Sequence, residues 1–137
     1  MTHATPTLSG GCHCGAVRYV ITGRPYHRTL CHCTICRGTT GAPAVAWFSV
    51  RPGELRFTQG EPCSFRSSAQ ATRTFCGTCG TALTFRRDGL DEVDVTTASL
   101  DDPEAAAPED QTYARSRLRW MDGLASLPRH DTTRPGT

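Results

Sequence analysis

The chain contains neither lysine nor asparagine, so all fifteen of its Lys-plus-Arg positions are arginine. Without lysine there is no side-chain Schiff base to a carbonyl substrate. Without asparagine there is no Cys-His-Asn triad and no N-glycan. No apolar run reaches the roughly 18 residues that a membrane span needs. The opening MTHATPTLSGG lacks the basic start and apolar stretch of a secretory signal. A net charge of only +2 gives no basic footprint for nucleic acid. The expected partners therefore include neither nucleic acid nor membrane, and the expected location is the cytoplasm.

What remains is a chain of 137 residues, 37% hydrophobic and 20% charged, which fits one globular domain. Residues 1–9 read as a flexible lead-in, 10–128 as a single domain and 129–137 as a flexible tail. Ala16 to Thr22 alternates inward Val17, Tyr19 and Ile21 with Arg18 and Thr22, the pattern of a half-buried strand. Ala44 to Val50 is an apolar, β-prone run, and Glu54 to Thr58 alternates after it, so the two are expected as antiparallel neighbours. Further strands are expected at Cys63 to Arg66, Thr72 to Phe75, Thr81 to Arg86 and Val93 to Ala98. Gly38 to Pro43 is too rich in turn formers for regular structure and is expected to wrap a metal. Asp101 to Ala107 fits one helical turn with proline at its start. Thr112 to Leu127 carries enough apolar side chains to dock on a sheet. The fold class is mainly β, with a short helical or irregular C-terminal segment.

Eight cysteines are the excess in this composition, and seven of them fall into three clusters: Cys12-His13-Cys14, Cys31-His32-Cys33-Thr34-Ile35-Cys36 and Cys76-Gly77-Thr78-Cys79. In a reducing compartment such spacing points to metal more than to disulfides. Cys12 and Cys14, two apart in an extended segment, project to one face. Cys76 and Cys79 form a glycine-assisted knuckle, and the two pairs together supply four thiolates, enough for a closed tetrahedral zinc site. Disulfides or free buried thiols are the alternative there.

Cys31, Cys33 and Cys36 are one ligand short of a tetrahedron, the arrangement of a zinc site with an open position for a thiol. His32 or His27 could instead close it as a structural Cys3His site, and Cys33/Cys36 could act as a metal-free redox pair. Iron–sulfur clusters fit the thiols but not their spacing. Cys63 reads as a small apolar core residue, and Arg37 as a packed or solvated side chain, with a carboxylate clamp as the second reading.

The stretches GGCHCGAVRY, CHCTICR and RTFCGTCGTAL, in this order, resemble the glutathione-dependent formaldehyde-activating enzyme and centromere protein V-like family. The resemblance spans about Gly10 to Leu100, with a weaker echo from Trp120 to Pro128. It implies a β-tent of antiparallel sheets folded around zinc. It implies a structural zinc on Cys12, Cys14, Cys76 and Cys79, and a second, labile zinc on Cys31, Cys33 and Cys36. The implied activity is that of a carbon–sulfur lyase or synthase, acting on a glutathione adduct of formaldehyde or a related small aldehyde, with His32 or a water as proton source. The competing class is a non-catalytic, zinc-stabilised binding module. Methionine sulfoxide reduction is a third, and it would need Cys63 as a reactive thiol.

Overall fold

In the computed structural model, described over residues 7–137, ten strands form two sheets. The smaller sheet has the order β1-β2-β5, from Leu8–Gly11 (β1), Arg18–Ile21 (β2) and Leu55–Gln59 (β5). The larger has seven strands in the order β10-β3-β4-β9-β8-β7-β6. They are Tyr26–Cys31 (β3), Val45–Val50 (β4), Cys63–Ser68 (β6), Ala71–Phe75 (β7), Ala82–Arg87 (β8), Val93–Thr96 (β9) and Asp110–Thr112 (β10). The one α-helix among the described residues, α1, spans Thr34–Thr40. All pairings are antiparallel except β10 with β3, which is parallel. This is a mainly β fold of the β-tent kind.

The alternation read along β2 is realised: Val17, Tyr19 and Ile21 are buried. They meet Phe48, Val50, Leu83, Val93 and Val95 of the larger sheet in the main core. β4 is buried on both faces, which is why its sequence is apolar at every position but Ser49 and does not alternate. Phe48 and Val50 face the main core, while Val45 and Trp47 join a second, smaller cluster with Cys31 and Cys36. One central strand thus separates the core from the site described below.

Four expectations are corrected. β4 and β5 are not partners: β5 pairs with β2 in the small sheet, and β4 lies between β3 and β9. The chain between them turns through a short 3-10 segment, Pro52–Glu54, and changes sheets. Leu8 and Ser9, assigned to the lead-in, lie in β1 opposite Ile21 and Val20; the rest of that lead-in up to residue 6 is outside the described residues. Gly38 to Thr40 are helical, because Thr39 and Thr40 hydroxyls donate to carbonyls one turn back and Gly41 closes the helix in the left-handed conformation.

The fourth concerns Thr112 to Leu127. Its Thr112 end completes β10, whereas Tyr113, Trp120, Leu124 and Leu127 remain exposed. The short turn at Pro103–Ala106 is present as a 3-10 segment capped by Asp102. Residues 129–137 contain no helix or strand and their side chains are exposed. No helix among the described residues is long and apolar enough to cross a membrane.

Candidate metal centres and pocket

The four sulfurs of Cys12, Cys14, Cys76 and Cys79 lie within 4.8 Å of one another. Cys12 and Cys14 Sγ are 3.6 Å apart, and Cys14 and Cys76 Sγ 3.8 Å. A tetrahedral ion with metal–sulfur bonds of about 2.3 Å needs sulfurs about 3.8 Å apart, so this donor set fits one. The knuckle is local chemistry: Cys76 Sγ accepts from the amides of Thr78 and Cys79 at 3.4 Å, and Gly80 takes a positive φ of 84° that bends the chain back. The Thr81 hydroxyl beside Cys79 holds that thiol down to about 5. The site joins the turn before β2 to the turn between β7 and β8, and buried Cys12 and Cys76 belong to the main core.

Cys31, Cys33 and Cys36 form the second group, again with sulfurs within 4.8 Å. Cys31 ends β3, Cys33 caps helix α1, and Cys36 lies in its first turn. Cys33 Sγ accepts the Cys36 amide at 3.2 Å, so the metal-ligand spacing and the helix cap are one structure. The Cys31 thiol is pulled down to about 5, chiefly by a hydrogen bond from Cys36, whose own thiol is pushed up by donating it and by burial. Deprotonated sulfur is the form a metal binds.

No histidine joins either group among the described residues. His27 takes a left-handed backbone (φ 47°), and its side chain is 71% exposed and 3.8 Å from Glu92. His32 is fully buried, with Nε2 at 2.8 Å from Gln111 Oε1 and Nδ1 without a partner. It faces away from the sulfurs, as its place between two ligands requires, and braces β10 against the end of β3. Arg37 donates to the Ser116 carbonyl at 2.6 Å and so fastens α1 to the C-terminal segment. Cys63 is exposed, not buried, because β6 is an edge strand with nothing packed beyond it.

The three-thiol group opens into a pocket of about 590 Å³ on the face of the large sheet opposite the main core. Its walls carry three side chains that sequence reasoning missed: Ser49, Arg73 and Asp94. Ser49 Oγ donates to Asp94 Oδ1 at 2.6 Å, and burial pushes the Asp94 carboxyl up to about 6 against that bond. Arg73 is 5% exposed, donates to Cys36 Sγ at 3.5 Å, and lies over the rings of Trp47 and Phe85. A signal was available for it: in β7 it alternates with buried Ala71, so an arginine occupies an inward position.

A family model described as "Glutathione-dependent formaldehyde-activating enzyme" matches residues 7–116. A curated relative from Halomonas elongata, named putative glutathione-dependent formaldehyde-activating enzyme, is 33% identical over 84 residues. That match takes in 56% of this chain and 54% of the relative, so it spans about half of each. The crystal structure of a Rhodobacter sphaeroides protein superimposes with a TM-score of 0.61 at 26% identity, covering 76% of this chain and 99% of the other.

Proposed function

The chain belongs to the glutathione-dependent formaldehyde-activating enzyme family, and on that premise we propose that it adds the thiol of glutathione to formaldehyde or a related small aldehyde, as a carbon–sulfur lyase working in the synthetic direction. The observation that carries this reading is the asymmetry of the two sulfur groups. Four sulfurs converge at one, whereas three converge at the other and face a pocket. Zinc is the metal assigned to both, and when bound it supplies positive charge that favours a thiolate over a thiol. Cys12, Cys14, Cys76 and Cys79 would hold the structural ion, and Cys31, Cys33 and Cys36 the labile one.

The chain's own residues supply the rest. The pocket admits a small carbonyl compound beside the three sulfurs, while Trp47 and Phe85 make that wall apolar and limit water. As the sulfur lone pair forms the carbon–sulfur bond, the carbonyl π pair moves to oxygen and that oxygen needs one proton. His32, one proton source expected from sequence, is turned toward Gln111. Asp94 and Ser49 are on the pocket wall, and a carboxyl held near 6 can give a proton and recover it from solvent. With eight free cysteines, the reducing cytoplasm is the proposed location.

The test is exchange NMR of glutathione and formaldehyde with metal-loaded and metal-free protein. Faster adduct exchange with the loaded form, lost in Cys36→Ser, is the expected result. A rate equal to buffer with both metals bound refutes the reading.

A further inference from the structure

Arg73 presents an electrostatic problem that the proposed reaction does not use. Its guanidinium is buried, yet no carboxylate pairs with it among the described residues. Its contacts are the Ser67 hydroxyl on Nε at 3.0 Å, Cys36 Sγ on one terminal nitrogen, and the two aromatic faces. The other terminal nitrogen, Nη1, has no partner. A buried cation without an opposite charge is costly, and the aromatic faces offset only part of that cost. The sulfur cluster is therefore the counter-charge.

The closed group differs in this respect. Its sulfurs accept from the Val17, Thr78 and Cys79 amides and from the Thr81 hydroxyl, and among the described residues from no cationic side chain. A divalent ion on three thiolates is already singly negative, and an anionic fourth ligand makes it doubly so. Beside an arginine that second negative charge is tolerated; in an apolar pocket without one it is opposed.

We propose that Arg73 is a specificity-determining residue of the three-thiol site: a fixed cation that admits an anionic fourth ligand, a thiolate above all, and holds it through the charge of its guanidinium. The inference rests on the open metal site of the proposed function but not on the reaction. It places the selection at the sulfur, so it applies to a thiol with no other charged group as much as to glutathione.

The experiment uses the full chain loaded with cobalt(II), whose visible and sulfur charge-transfer bands report how many thiolates surround it. Wild type, Arg73→Met and Arg73→Lys are titrated with 2-mercaptoethanol, which carries no carboxylate, and with glutathione. Native mass spectrometry counts the metals bound. Arg73→Met is expected to keep both metals and bind each thiol at least about tenfold more weakly, while Arg73→Lys, which keeps a cation but loses the stacking on Trp47 and Phe85, falls between Arg73→Met and wild type.

Equal affinities in wild type and Arg73→Met overturn the proposal, as does a wild type whose bands move with neither thiol. A loss confined to glutathione also overturns it, since Arg73 would then read a carboxylate. If Arg73→Met does not fold, Ser67→Asp against Ser67→Asn decides: a carboxylate beside Nε neutralises the arginine in place and should weaken thiol binding, whereas equal affinities refute the idea. Arg73-dependent thiol binding without faster adduct exchange leaves this inference standing and removes the proposed reaction.

Discussion

Asp94 shows how one residue can serve the pocket at the expense of the fold. Its carboxyl is raised to about 6 by burial, so the folded chain binds that proton more tightly than the unfolded chain does. Stability from this group is therefore lost as pH rises from about 4 to about 6, and the loss is complete above that. Asp94→Asn keeps the Ser49 contact and removes the charge. It should be more stable than wild type by about 2 kcal/mol at pH 7.5 and equal to it near pH 4, measured by urea denaturation at both values. The same variant should slow adduct exchange, separating the two roles. Asp94 does not stand out in the sequence, because it is an ordinary polar position in a strand, and the only trace of Arg73 is its inward position two residues after Ala71 in β7. Only the pairing of β9 with β4 and of β7 with β8 turns both into the pocket.

At the scale of elements, the strands were readable wherever one face is core and the other is not, as in β2. Partnership was not readable: β4 and β5 adjoin in sequence and lie in different sheets, because the short segment Pro52–Glu54 redirects the chain. Helix α1 was hidden for a different reason. Its cap is a cysteine, outside the usual serine, threonine, aspartate and asparagine set, and its last turn contains glycine and threonines that disfavour helix in isolation.

That cap makes a separable prediction. Cys33→Ser keeps an oxygen acceptor for the Cys36 amide and loses a metal ligand; Cys33→Ala loses both. In protein that carries only the four-thiol ion the alanine variant should be less stable than the serine variant by about 1 kcal/mol, measured by thermal or urea melts. In metal-loaded protein both should bind one ion where wild type binds two. The thiols themselves were legible from spacing alone, since ligand geometry is local within each cluster. That Cys12 and Cys14 meet Cys76 and Cys79 followed from counting donors, and the structure brings those four together.

Over the whole molecule the two sulfur groups divide the fold unequally. The four-thiol group contributes Cys12 and Cys76 to the main core, whereas the three-thiol group sits in a satellite cluster beside an open pocket. Stepwise chelation should therefore remove the pocket ion first with far-UV circular dichroism unchanged. The second ion should leave together with the β-sheet signal, since a structural zinc site is worth roughly 10 kcal/mol or more. Cys36→Ser should fold with one metal and Cys76→Ser should not fold; native mass spectrometry and circular dichroism check both. A Cys36→Ser chain that unfolds would favour the binding-module reading, in which the second ion is structural too.

The four-thiol group also joins sequence-distant halves of the chain: Cys12 and Cys14 precede the turn at Gly60, and Cys76 and Cys79 follow it. Cut between Gly60 and Glu61, the polypeptide becomes a split pair in which each fragment carries half of a tetrahedral donor set. Neither half closes the core alone, and a metal ion held by those four sulfurs would be the cross-link that reunites them. Fused to the halves of a reporter, such fragments would form a metal-gated switch, with assembly following the free metal concentration.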